Sequence, residues 1–526
     1  MSPPEAQQTH GDFVAPHPGS AAIPRWTTGA LGDAPVFTAR NWFALLGPGL
    51  IAGGSAIGGG EWLMGPALTA RYGGAIMWLA TLSILGQVIY NIEISRYTLY
   101  CGEPIFTGKF RTLPGPRFWL PIYLLLDFGA FFPYLAATAA TPVAAVWLQR
   151  MPGAGDQVLL RWLGVGIFLL AMLPLLVGGK VYKSLKALMA FKIVAVLGFL
   201  LVLAVFHSHW STWVEIFRGF FRFGDLPFAD GHVRNAIASW WTSGSLPALD
   251  LTVVAQLTAF ASIAGMGGLT NTPISNYTRD QGWGMGRHVG AIPSVIGGHH
   301  IQLSHVGMVF EVDGETLPRW RRWYRHVVRD QLAVWMPACF LGIALPSMLS
   351  VEFLQRGTVA DKWALAAMTA DGVKEHVGAS SWGSSAGTVF WYATLLTGFI
   401  VLFPSMAQYA DGFVRRWVDV FWTSSARLRR WETHQIRRVY YGVLGGYVLF
   451  GVCMLTQNEP LTLIKVATNI NNYALGFSSW HTLALNLTLL PRELRPGWFQ
   501  RIGLFLTGLF FFCLGIVTTI VFFHGK

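Results

Sequence analysis

Apolar runs about twenty residues long dominate this chain, separated by short polar or basic segments. A helix needs about 20 mainly apolar residues to cross a bilayer. Eleven runs meet that length, over 42–70, 74–100, 117–148, 159–178, 184–207, 248–278, 328–350, 386–411, 438–456, 460–489 and 498–523. Two of them are interrupted. The first run contains GGSAIGGGEW, where Gly53, Gly54, Gly58, Gly59 and Gly60 crowd a stretch that ends in a carboxylate, Glu61. Each of these glycines costs about 1 kcal/mol relative to alanine in a helix interior. The sixth run is apolar to Ala264, breaks at Gly265-Met266-Gly267-Gly268, and resumes with Thr270, Asn271 and Pro273. Broken helices at membrane depth are tolerated where they are buried in protein or line a cavity, and in secondary transporters they bind the substrate. The breaks lie five runs apart. That spacing predicts two inverted five-helix repeats, each opening with a broken helix, against the blander reading of close helix packing through small residues.

Composition agrees with a membrane protein. Of 526 residues, 53% are hydrophobic and 12% charged, with mean hydropathy +0.45. A soluble domain carries about 25% charged residues. The net charge of +12 is better explained by loop asymmetry than by nucleic-acid binding. With the N-terminus placed in the cytoplasm, about 25 Lys and Arg fall on the inner side and about 10 outside. Eleven spans then place the C-terminus outside. The expected organisation is a disordered cytoplasmic tail over 1–40, a first repeat over 41–207, an external loop over 208–247 and a second repeat over 248–490. That second repeat contains a cytoplasmic loop over 279–327, and the eleventh helix with the C-terminus fills 491–526. The external loop is Trp-rich and is expected at the membrane interface. In the cytoplasmic loop, the alternation around Asp313-Gly314 predicts a β-hairpin, and RWRRWYRHVVR (319–329) suits anionic headgroups. His299, His300 and His305 cluster there without a completing ligand pattern. The four cysteines read as small buried hydrophobes. No HExxH, P-loop or GxSxG occurs, so no enzyme activity and no cofactor are expected.

Gly47-Pro48-Gly49 and Tyr72-Gly73 stand at the separation found in the first span of the Nramp divalent-metal transporters, and over 42–523 the chain resembles that family. The resemblance implies an all-α, LeuT-like inverted-repeat fold with broken helices 1 and 6, in a bacterial inner membrane. It also marks departures. Gly58-Gly59-Gly60-Glu61 stands where the family has its metal-binding Asp-Pro-Gly-Asn. Met266-Gly267-Gly268 is the nearest match to Met-Pro-His. The acidic third span of the family is here left with Asp127. The expected site is therefore altered: Gly58, Gly59, Gly60, Glu61, Gly265, Met266, Gly267, Gly268, Thr270, Asn271 and Asn469 for substrate, and Glu61, Asp127 and Lys465 for coupling. Any metal would rest on Glu61 and Met266. The glycine N–H groups could instead receive a substrate carboxylate, with Glu61 on a substrate amine. Glu93 and Arg96, three apart, are expected to pair along one helix. The substrate stays open between a hard cation and a small organic solute, with conventional metal transport through a rearranged site, or a non-transporting scaffold or sensor, as alternatives. The partners expected are that substrate and the lipid bilayer.

Overall fold

The computed structural model describes residues 13–38, 46–176, 181–245, 248–292, 302–359, 367–457 and 460–524. Among them, helices stand at all eleven expected places. Eight are long and apolar enough to cross a membrane, nine when the bent pair Pro48–Ile76 and Trp78–Cys101 counts as one span. The polar exception is the helix at 460–489.

The first run forms α1 (Pro48–Ala56), a wide five-residue turn (Gly60–Met64) and α2 (Gly65–Tyr72). The GPG opening has a physical use. Gly47 N–H (3.1 Å) and Gly49 N–H (2.6 Å) donate to the Asp330 carboxylate, an anion placed on the positive end of α1. A Cβ on Gly49 would lie 2.6 Å from Asp330 Oδ2, so only glycine lets the cap approach. Next comes α3 (Trp78–Cys101), then a short α4 (Ile105–Arg111). The single helix expected over 117–148 is instead α5 (Pro116–Leu126) and α6 (Tyr134–Leu148), parted at Asp127–Pro133. Phe132 is extended, the conformation favoured before a proline, and Pro133 then opens α6.

Further along run α7 (Gln157–Ala171), α8 (Val181–His207), and the second broken helix as α9 (Leu251–Ile263) and α10 (Pro273–Asp280). The long helices that follow are α11 (Thr316–Asp330), α12 (Met336–Phe353), α13 (Gly383–Ser424), α14 (Ile436–Gln457), α15 (Pro460–Leu489) and α16 (Trp498–His524). The polarity of α15 follows from its place inside the bundle. Ser262 Oγ of α9 donates to Thr468 O (3.0 Å), and Asn472 Nδ2 donates to Thr258 O (3.4 Å). A polar helix of this kind sits against protein, not lipid.

Several expectations change here. Residues 13–38 of the predicted disordered tail are docked on the chain. Trp26 is buried, with the Arg111 guanidinium 4.8 Å from its ring. Thr27–Thr28 pairs in parallel with Met308–Val309, and Asp33 binds Arg322 at 2.7 Å. Composition misled because one buried Trp and a strand pairing offset the polarity of the remainder. The Asp313-Gly314 hairpin is absent: Asp313 Oδ1 instead accepts the N–H groups of Glu315 and Thr316 (2.8 Å each), starting α11. On α11, Trp320 and Trp323 turn inward and are buried, so this face is not free for headgroups. In the external loop, Trp210, Trp240 and Trp241 stay exposed. Cys101 and Cys339 are buried, whereas Cys453 and Cys513 are exposed on helices that meet the bilayer. His299 and His300 lie outside the described residues. His305 stacks on Trp422 with ring centroids 4.0 Å apart.

Candidate functional site between the two broken helices

The two breaks use glycine differently. None of Gly53, Gly54, Gly58 and Gly59 has positive φ, while Gly265 (+98°), Gly267 (+71°) and Gly268 (+58°) all do. The second break is thus conformational, in a region that L side chains rarely adopt. The glycines of the first run serve close approach. A Cβ on Gly54 would lie 2.7 Å from Met189 Cβ of α8, and one on Gly59 would lie 2.9 Å from the Tyr134 ring.

Glu61 joins the breaks. Its side chain is fully buried. Oε2 accepts the Gly58 N–H (3.2 Å) and Oε1 accepts the Gly265 N–H (2.9 Å). Beside it, Gln87 of α3 completes the second break: its Oε1 accepts Met266 N–H and Gly267 N–H, both at 3.0 Å, and its Nε2 donates to Ala264 O at 2.8 Å. Four N–H groups freed by the breaks are therefore held by the chain's own side chains. Of the glycine N–H groups expected to receive a substrate carboxylate, those of Gly58, Gly265 and Gly267 are engaged within the chain. Lys192 of α8 is also fully buried. Lys192 Nζ donates to Ser405 Oγ of α13. Ser405 Oγ lies 3.2 Å from Ser55 O in the last turn of α1.

A small cavity adjoins this bridge, lined by Ser55, Glu61, Tyr134, Met266, Gln408 and Tyr409, with Gly59, Gly265 and Thr270 also on its wall. Ser55 Oγ donates to Gln408 Oε1 at 2.6 Å, and Thr270 Oγ1 donates to Met266 O at 2.8 Å. The Tyr409 hydroxyl is buried beside Asn471. Carboxylate, phenol, amide, hydroxyl and thioether thus converge there. Other predicted site residues lie elsewhere. Asn271 Nδ2 donates to Asn91 Oδ1 (2.7 Å), Asn469 Nδ2 donates to Thr519 Oγ1 of α16 (3.3 Å), and Gly268 packs on Asn471. Lys465 is exposed and cannot neutralise the buried Glu61.

Asp127 is paired, not open to a cavity. Arg416 of α13 meets it through Nη2 (2.8 Å) and Nε (3.2 Å), and Trp417 Nε1 donates to it at 2.8 Å. Arg416 Nη1 also donates to Leu269 O beyond the second break, at 3.0 Å. Further along α13 a buried network links Arg415 with Asp280 and Asp411, and Arg279 with Asp280 (2.9 Å) and Asp419 (2.7 Å). Glu93 and Arg96 pair at 2.7 and 2.9 Å. Among the described residues, no group of three or more His, Cys, Asp and Glu is placed to hold a metal ion. Gln87, Tyr134, Lys192, Gln408 and Tyr409 escaped the sequence reading. Lys192 had a signal: it is an ionisable group in the middle of the run 184–207.

The sequence matches no protein-family model and no curated protein. Structure does find relatives. The manganese transporter of Eremococcus coleocola, in complex with an aromatic bis-isothiourea compound, superposes with TM-score 0.61 at 15% identity, covering 94% of this chain and 90% of that one. A point mutant of the same transporter gives TM-score 0.59 at 14% identity, covering 96% and 92%. The fold is Nramp-like. The likeness runs over nearly the whole length of both chains. A manganese transporter is what that neighbour is called; for this chain the likeness establishes architecture.

Proposed function

We propose that this protein is a secondary transporter that moves a small polar solute, neutral or bearing an amine, through the cavity between its broken helices. The N-terminus then lies in the cytoplasm, as the Lys and Arg distribution favours. The observation that carries the reading is the Glu61 bridge: one carboxylate accepts N–H groups from both breaks. Those donors are the natural receptor for an anion, and they are occupied, which weighs against an anionic substrate. The absence of a three-residue ligand cluster among the described residues weighs against a dehydrated transition metal. What faces an incoming group is the Glu61 carboxyl, two phenols and the Gln408 amide. That set suits an ammonium or a polar hydrogen-bonding solute. A hard cation that keeps its water shell is the alternative of the same class.

Calorimetry decides against metal first. Mn²⁺ titrated into the purified protein is expected to give no saturable heat at micromolar concentrations, and a micromolar isotherm would overturn the reading. A thermal-shift screen of amines and amino acids follows. At least one ligand is expected to stabilise the native chain and to lose that effect in Glu61→Gln. If every stabilising ligand acts equally on Glu61→Gln, the bridge is not the site.

A further inference from the structure

The loop between α8 and α9 holds a helix, Ala236–Ser243, that is well ended but uncovered. Asn235 Oδ1 accepts the Ala238 N–H at 3.0 Å, and Gly244 (φ +66°) closes the other end with its N–H on Trp240 O at 2.9 Å. None of its 8 residues is buried. Ile237, Trp240 and Trp241 are 63%, 56% and 83% exposed. A helix shorter than about 12 residues is marginal in water and draws its stability from packing. Two tryptophans turned outward on so short a helix call for a cover.

Charge narrows what that cover is. The helix, AIASWWTS, carries no charged side chain. In the hairpin before it, Asp225–Pro227 pairs antiparallel with Val233–Asn235, and Arg222 and Arg234 are matched within the chain by Asp225 and Asp230. The surface thus presents apolar and aromatic groups without an ionic handle for a charged partner.

Position points to lipid. Leu249 bridges to Phe228 after the hairpin and is exposed, as is Leu251 where α9 begins. The spanning helix α16 runs antiparallel to α3, with Gly503 against Ile89 and Gly86 against Thr507. Its C-terminal end therefore lies on the side of Trp78, whose Nε1 donates to Asp225 O at 2.8 Å. Thr518 Oγ1 of α16 donates to Thr258 Oγ1 of α9 at 2.6 Å. Counting outward from that contact at about 1.5 Å per residue, Leu251 lies about 10 Å away and Phe523 about 8 Å. The exposed Ile520, Phe522 and Phe523 of α16 thus carry the apolar band of the bundle to the level from which the uncovered helix departs.

We propose that the helix Ala236–Ser243 lies in the interfacial layer of the bilayer, with Ile237, Trp240 and Trp241 turned into lipid. Tryptophan favours that layer, and a helix lying in it beds about 5–10 Å into the boundary between headgroups and acyl chains. In the orientation proposed above this is the outer leaflet. The chain passes from this helix to Asp250, which joins the outer ends of both broken helices. Asp250 Oδ1 accepts the Thr252 N–H of α9 at 3.0 Å, and Oδ2 accepts Arg71 Nη2 (3.3 Å) and the Tyr72 hydroxyl (3.4 Å) of α2. Lipid thereby moors that joint, whether or not a solute moves through the cavity.

A nitroxide spin label on Trp241→Cys reports the depth. The full-length chain also carries Cys453→Ser and Cys513→Ser and is reconstituted in lipid nanodiscs, so both faces are open to reagents. A label on His232→Cys, in the polar hairpin, is the aqueous reference. By power saturation, the label at 241 is expected to collide more often with O₂ than with a water-soluble Ni²⁺ chelate, and the label at 232 to show the reverse order. Ile237→Cys replaces Trp241→Cys if the latter is not monodisperse. A label at 241 as open to the chelate as that at 232 places the helix in water and overturns the proposal. A label closed to both reagents has a protein cover and overturns it as well; spin–spin broadening that vanishes on dilution with unlabelled chain would identify that cover as a second copy. Each of these results leaves the transporter reading standing.

Discussion

Asp127→Asn separates a structural carboxylate from a coupling one. Asp127 is buried at the break between α5 and α6 and receives two bonds from Arg416, at 2.8 and 3.2 Å, and one from Trp417 Nε1, at 2.8 Å. Asparagine keeps the shape and an acceptor for Trp417, so the change removes mainly the charge. Deleting one partner of a buried ion pair costs about 3–5 kcal/mol, because the other charge stays buried without compensation. Arg416 also holds Leu269 O beyond the second break (3.0 Å), so the orphaned guanidinium cannot swing out without freeing that carbonyl. An unfolding entropy of about 2.1 cal/mol/K per residue over 526 residues gives roughly 1.1 kcal/mol per degree, hence a fall in Tm of about 3–5 °C. Differential scanning fluorimetry in detergent measures it. Arg416→Gln alone should cost a similar amount. The double variant Asp127→Asn with Arg416→Gln should recover part of the loss, since no lone charge remains. A shift under about 1 °C for Asp127→Asn, or full additivity in the double variant, refutes the structural pairing and returns Asp127 to the coupling candidates.

Two further expectations bear on other parts of the chain. Gly268→Ala meets both a φ of +58° and an Asn471 Oδ1 only 2.5 Å from the new Cβ, so it should lower Tm by more than Gly231→Ala, where φ is +82° but the space is open. The strain common to both is about 1–2 kcal/mol, and equal shifts would mean that the second break does not press on α15. Trp26→Ala removes a buried ring held by Arg111 at 4.8 Å and should release residues 13–38, at a cost of about 3–5 kcal/mol. Limited trypsin digestion should then cut after Arg25 much faster than in the native chain, and an unchanged rate would show that the strand pairing alone holds the segment.

The fold was legible and the chemistry only in part, for reasons visible in particular residues. Apolar period and length placed the helices, because in a bilayer each span must satisfy its own backbone. The two breaks were legible because glycine clusters at 53–60 and 265–268 are poor helix. The break at Asp127–Pro133 was missed, since the surrounding run stays apolar and one proline looked tolerable. Pairings were illegible wherever partners are distant in sequence. Asp127 meets Arg416, and Glu61 meets Gly265 across some two hundred residues. Only Glu93 and Arg96, three apart on one helix, could be paired by spacing. Composition misjudged residues 13–38 because a single Trp26 outweighs many polar neighbours once it finds a slot.

Gly58-Gly59-Gly60-Glu61 ties the two broken helices together. Here the tie is covalent on one side: Glu61 belongs to the first broken helix and reaches across to the Gly265 N–H of the second, at 2.9 Å. The longer Glu side chain makes that reach possible, while small neighbours such as Gly59 let Tyr134 approach to close the cavity wall. Lys192 of α8 is equally buried. Under the proposed function, an occupant of the cavity would be selected by hydrogen bonding and size, through Tyr134, Gln408 and Tyr409.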